Sequence, residues 1–156
     1  MRFFNLYEDD WEREQDRAGY RWRGRRLGPL LGASAIGASL YELAPGQRSF
    51  PYHYEYGNEE WLVVVSGRPT LRTPEGEQEL SPGDVACFAE GPEGAHQVRN
   101  GGQEPARILI LSTKRMPGVA VYPDSDKIGL WPVAGEATDR IIVRRDSAVD
   151  YWEGES

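Results

Sequence analysis

Short apolar runs, separated by glycine and proline, set the rhythm of the chain from Ser39 to Ser112. The runs cover residues 40–43, 61–65, 70–72, 77–80, 85–88, 96–99 and 107–111, each of strand length. Between them lie Pro45-Gly46, Gly67-Arg68-Pro69, Pro74-Glu75-Gly76, Ser81-Pro82-Gly83-Asp84 and Asn100-Gly101-Gly102, whose residues supply the fixed or positive φ that reversals need. This cadence predicts an all-β sandwich or barrel. Residues 70–80 read as a hairpin with Pro-Glu-Gly at its tip. The run Trp-Leu-Val-Val-Val, residues 61–65, is apolar on both faces, as expected of a strand covered on both sides.

Outside this stretch the pattern changes. In residues 1–30 a group of acids (Glu8, Asp9, Asp10, Glu12, Glu14, Asp16) precedes a block of arginines (Arg17, Arg21, Arg23, Arg25, Arg26). Asp9 and Arg13 stand at helical i,i+4 spacing, so a short helix around Trp11 is expected within a charged surface arm. Residues 113–132 lack strand periodicity and contain Tyr-Pro-Asp-Ser-Asp-Lys, residues 122–127. Asp124 and Asp126 do not open a calcium loop, because Ile128 occupies a ligand position and no glutamate closes the motif; a plain turn is expected. The run Ile141-Ile142-Val143 could pair with a sheet edge. The expected organisation is an N-terminal arm (1–30), a barrel with its trailing loop (31–132) and an irregular C-terminal tail (133–156).

A chain of 156 residues supports one hydrophobic core, and its 18 glycines and 11 prolines suit many turns rather than a helical bundle. A formal net charge of −7 repels phosphate backbones and anionic membrane surfaces, which argues against a nucleic-acid or membrane partner. Cys87 is the single cysteine, so no intramolecular disulfide can form. It follows Ala86 in an apolar run and is expected to be a buried small hydrophobe. Acids arrive early at the N-terminus, and the uncharged stretch 27–41 is too short and too rich in small residues to span a bilayer, so a cytoplasmic protein is expected.

Both histidines, His53 and His96, fall in the β region just after turns. Glu55 follows His53 at i+2, on the same face of an extended segment. Glu59 and Glu60 come next. If Glu60 points inward, so do Leu62 and Val64, while Glu59 and Trp61 face the other way. His96, Val98 and Asn100 likewise share a face.

These residues resemble the motifs of the cupins over roughly residues 40–112. Gly46, His53-Tyr54-Glu55, Glu60 and Gly67 are similar to the first motif; the six residues between Glu60 and Gly67 select Glu60 over Glu59. Gly83, Pro92-Glu93-Gly94, His96 and Asn100 are similar to the second. Glu55 stands where the family has its second histidine, and only Ala95 separates Gly94 from His96 where two residues are usual. The segment 122–127 also resembles one that follows the barrel in a group of bacterial cupins, which names a subgroup and no activity. The resemblance implies a single-domain jelly-roll β-barrel with one metal ion at its centre, and a homodimer, since such barrels commonly pair. Trp11 and Trp22 would dock the arm on the neighbouring subunit.

The chemistry of the residues points the same way. His53, Glu60 and His96 would offer two imidazoles and one carboxylate, a set that suits Fe(II) with open positions, Zn, or Mn. Glu55 is either a fourth ligand or a base beside the metal. Without a metal, Glu55 and Glu60 would need a cationic partner, for which Arg72 and Arg99 are available. Tyr52, Tyr54, Tyr56, Trp61 and Phe50 cluster around the first motif; most should pack, while a minority could line a pocket. Tyr52, Tyr54 and Trp61, with Arg72, are the substrate-binding candidates. The expected function is metal-dependent chemistry on a small molecule, oxygenase-like by analogy with the iron triad; the alternative is a non-catalytic barrel that binds or senses a small ligand.

Overall fold

The computed structural model describes residues 1–132 and 139–155. Residues 133–138 of the expected tail lie outside the described residues. In chain order the elements are β1 (Arg13–Arg17), β2 (Tyr20–Arg26), a short helix α1 (Leu27–Leu31), β3 (Ile36–Leu43), β4 (Tyr54–Tyr56), β5 (Glu60–Ser66), β6 (Thr70–Thr73), β7 (Gly76–Glu79), β8 (Val85–Phe88), β9 (Gln97–Arg99), β10 (Ala106–Thr113), β11 (Gly118–Tyr122), β12 (Lys127–Trp131) and β13 (Ile141–Arg144). The all-β expectation holds, and the hairpin at 70–80 is β6–β7.

Three antiparallel sheets form, in the orders β1-β2-β3-β10-β5-β8, β13-β12-β11-β4 and β7-β6-β9. They are not joined into one hydrogen-bonded ring. Isolated bridges at Arg48–Arg99 and His53–His96 tie the chain leading into β4 to the chain around β9, giving a jelly-roll arrangement. The main core lies between the largest and smallest sheets: Tyr41, Leu43, Leu62, Val64, Phe88 and Ile108 from one meet Leu71 and Val98 from the other. Strand alternation explains this selection. On β5, Leu62 and Val64 are 0% and 1% exposed, whereas Trp61 between Glu60 and Leu62 is 42% exposed.

The reading of residues 1–30 as a surface arm does not survive. β1 and β2 extend the largest sheet through β3, pairing Trp22 with Leu43 and Gly24 with Tyr41. The alternation of Tyr20, Trp22 and Gly24 with arginines is strand alternation, with arginines outward and Trp22 in the core. Residues 8–12 form no helix around Trp11. Instead Phe4, Leu6 and Trp11 pack with Leu27, Leu40 and Val65 on the outer face of the largest sheet. Both tryptophans are therefore engaged within their own chain, which removes the basis for arm docking. Val65 explains the two-sided run of β5, since it faces this outer cluster while Val64 faces the core.

Residues 113–132 also hold more order than their sequence suggests, because β11 and β12 pair over five residues and β11 pairs with β4. Their alternation is masked by Gly118, Ala120 and Gly129. The run 141–143 does pair with a sheet edge, as β13 against β12. Cys87 is exposed rather than buried: Ala86 and Phe88 take the inward positions of β8, and Cys87 lies opposite Trp61 on the outer face. Among the described residues, no helix is long and apolar enough to cross a membrane.

Candidate metal centre

Two neighbouring strand pairings and one bridge assemble the centre. Glu60 begins β5, opposite Ser112 on one side and Phe88 on the other. His53 and His96 face each other across a bridge closed by two backbone hydrogen bonds, His53 N–H to the His96 carbonyl at 3.2 Å and the reverse at 2.8 Å. That bridge places two imidazoles, 43 positions apart in the sequence, with ring centroids 4.8 Å apart.

Each ring is fixed from behind. The His53 Nδ1 donates to the Pro51 carbonyl at 2.8 Å, and the His96 Nδ1 donates to that of Gly94 at 2.9 Å. Both imidazoles therefore carry their proton on Nδ1 and present Nε2 as a lone pair. Phe88 stacks on His96 at 3.7 Å, and Tyr122 stacks on His53 at 5.9 Å. Gly94 is obligatory: a Cβ there would lie 1.8 Å from the Ala89 carbonyl oxygen. The tight Pro92–Gly94 turn thus positions both the His96 backbone and its orienting acceptor.

The two Nε2 atoms converge on one oxygen of Glu60, at 3.8 Å from His53 and 3.4 Å from His96. One ligand atom from each of the three residues lies within 4.8 Å of the others. Burial pushes His53 below its ordinary value, against the pull of the Pro51 carbonyl. Burial and neighbouring His53 push His96 down to about 3. Burial, reinforced by Glu55, pushes Glu60 up to about 8. Two acceptor nitrogens thus face a carboxylate that is poorly solvated in its ionised form. A divalent cation relieves all three groups together, so the donor set fits the metal that the sequence implies.

Glu55 lines the same cavity, of about 240 Å³, with Tyr41, Phe50, His53, Glu60 and Ser112. Its carboxylate is not within the ligand group. Glu55 reaches the cavity from β4, which pairs with β11, Glu55 opposite Ala120. Burial pushes the Glu55 carboxyl up, with Asn58 acting in the opposite direction.

None of the four expected substrate-binding residues lines this cavity. Tyr52 and Tyr54 are buried with Ala95 and Val121 in a separate apolar cluster. Trp61 lies on the outer face and donates its indole N–H to Glu59 at 2.8 Å. Arg72 makes two hydrogen bonds to Asp124, at 2.6 and 2.9 Å, and covers the Tyr52 ring at 3.9 Å. Neither Arg72 nor Arg99 neutralises the buried acids; Arg99 pairs with Glu77. The cavity walls come instead from Phe50, the one member of the aromatic group that reaches it, and from Tyr41. Tyr122, which the sequence marked only as the start of the 122–127 segment, sits close enough that Glu55, after burial, helps push its phenol up to about 12.

The family described as Cupin domain matches residues 39–112. No curated protein matches the sequence. A crystal structure of a sugar phosphate isomerase of the cupin superfamily from Silicibacter pomeroyi is 31% identical, with a TM-score of 0.74 over 81% of this chain and 78% of that one. A putative sugar phosphate isomerase from Acidithiobacillus ferrooxidans is 26% identical, with a TM-score of 0.75 over 85% and 81%. The polyketide cyclase RemF from Streptomyces resistomycificus, 21% identical over 76% of this chain and 83% of that one, shares the fold with a TM-score of 0.60.

Proposed function

This chain belongs to the cupin superfamily, and on that premise we propose that it is a metal-dependent isomerase of a small phosphorylated sugar. His53, Glu60 and His96 hold the cation, and Glu55 is the catalytic base. The observation that carries this reading is the convergence of two lone-pair nitrogens on one Glu60 oxygen, with a second acid in the same cavity. The two neighbours described as sugar phosphate isomerases support the substrate class.

A divalent ion at this centre would polarise the carbonyl and adjacent hydroxyl oxygens of a bound sugar. Glu55 then takes the proton from the hydroxyl-bearing carbon beside the carbonyl and returns it to the former carbonyl carbon. A second proton moves from the hydroxyl to the carbonyl oxygen, so atoms balance and no oxidant is required. Burial moves Glu55 toward the pKa that a base working near neutrality needs. Phe50 and Tyr41 wall the cavity and limit water around the reacting carbons.

The test combines elemental analysis with assays on a panel of aldose and ketose phosphates. We expect stoichiometric metal in the purified protein, its loss in His96→Ala, and retention in Glu55→Gln with turnover reduced by about 10²-fold or more. No bound metal under any loading condition overturns the proposal. Stoichiometric metal with ligand binding but no turnover also overturns it, in favour of a binding barrel.

A further inference from the structure

The register of the β1–β2 hairpin places Arg13, Gln15 and Arg17 opposite Gly24, Trp22 and Tyr20. Trp22 is a core residue, so this face of β1 looks inward. Trp22, Tyr41 and Phe50 form an edge-to-face triangle with centroid separations of 5.1, 5.7 and 5.1 Å. Tyr41 and Phe50 line the metal cavity. Phe50 also lines a second cavity of about 340 Å³, under the hairpin, with Arg13, Arg17, Tyr20, Trp22 and Pro51. Phe50 is thus the wall that the two cavities share.

The charges in the second cavity are unbalanced. Among the described residues, neither Arg13 nor Arg17 has a carboxylate partner within 4.0 Å, in a chain of net charge −7. Glu14 borders the space from the other face of β1, where it opposes Arg23. The Arg13 guanidinium lies 5.8 Å from the Trp22 ring. After burial and a Ser39 hydrogen bond, Arg13 and Glu60 act in opposite directions on the Tyr41 hydroxyl.

We infer that Arg13 and Arg17 hold the phosphate of the substrate while its carbonyl end lies at the metal centre, an inference that rests on the isomerase reading above. Guanidinium groups suit this task because their planar donors pair with phosphate oxygens. A second arginine group, Arg48, Arg72 and Arg99, lies outside the β7-β6-β9 sheet. Two of its members are committed to Asp124 and Glu77, so it offers less free charge.

Calorimetric titration of the metal-loaded protein with inorganic phosphate tests the subsite apart from turnover. We expect saturable binding, weakened about tenfold or more in the Arg13→Gln/Arg17→Gln double variant, with metal content unchanged. Arg48→Gln and metal-free His96→Ala should bind phosphate like the parent. Unchanged affinity in the double variant overturns the inference, as does equal loss in Arg48→Gln or loss in His96→Ala, which would place phosphate elsewhere or on the cation. If phosphate binds as expected but no sugar phosphate turns over, the isomerase reading fails while the anion site stands.

Discussion

Asn100 has no accessible surface, and each polar atom of its side chain is satisfied. Its Nδ2 donates to the carbonyls of Leu43 at 3.0 Å and Glu104 at 2.8 Å, and its Oδ1 accepts from Gly102 N–H at 3.0 Å. The asparagine of the second motif therefore clamps the turn after β9 and does not enter the cavity. Asn100→Ala should lower stability by about 1–3 kcal/mol, read from urea unfolding, while leaving metal stoichiometry intact. Gly94→Ala should behave differently. Relief of the overlap with Ala89 would displace the carbonyl that orients His96, so metal affinity should fall by about 10-fold or more along with stability. Equal metal binding by parent and Gly94→Ala, measured by competition with a chelator, would count against that role.

Among the elements, the turn between β11 and β12 is held by one side-chain clasp. Asp124 lies in a 3-10 turn, paired with Arg72 of β6, and Arg72 covers Tyr52. Tyr122, just before this turn, stacks on His53, so the clasp lies two residues from a wall of the metal centre. Arg72 holds the Asp124 carboxyl below its ordinary value. The N–H of Arg26 does the same for Glu12, which ties the start of β1 to the end of β2. A depressed folded pKa gives stability that is present above the ordinary carboxylate range and is lost as pH falls through the folded value. The parent should therefore lose more stability than Asp124→Asn between about pH 6 and about pH 3 in denaturant titrations. The gap will be modest because both partners are partly exposed.

The strand cadence of 40–112 was readable because period-2 alternation and turn residues act locally; the spacing of the first motif selected Glu60, and alternation then turned Trp61 outward. Two features depended on distant partners. β2 carries arginines on its outer face and only Tyr20, Trp22 and Gly24 on the inner one, so its strand character appears once β3 is beside it. Closeness in sequence to His53 does not by itself put a side chain on the cavity wall: Phe50 lines it, whereas Tyr52 and Tyr54 pack in a separate cluster. Tyr52 and Tyr54 flank His53 and so point away from its face, while Tyr41 lines the cavity from β3 and Tyr122 stacks on His53 from β11.

At the scale of the whole molecule, the N-terminal residues cover an apolar surface that would otherwise face water. Trp11 packs with the outer cluster and is overlain by Arg23 and Arg107 at 5.2 and 5.1 Å. Trp11→Ala should cost about 1–2 kcal/mol by denaturation, without altering metal content, since the cluster lies across the sheet from the site. Metal loading should act on the entire fold. A ligand that binds only the folded chain adds about 2.7 kcal/mol at a hundredfold excess over its dissociation constant, so a chelator should lower the melting temperature of the parent and leave His96→Ala unmoved.

The outward position of Cys87 has a practical consequence. It is the only thiol in the chain and lies on β8 opposite Trp61 of β5, one residue along from the strand partner of Glu60. Partial desolvation and the Glu59 carboxylate push its thiol up, so alkylation will run faster in mildly alkaline buffer. A fluorophore attached there would sit behind the ligand strand and against an indole quencher, reporting on ion loading without occupying the interior.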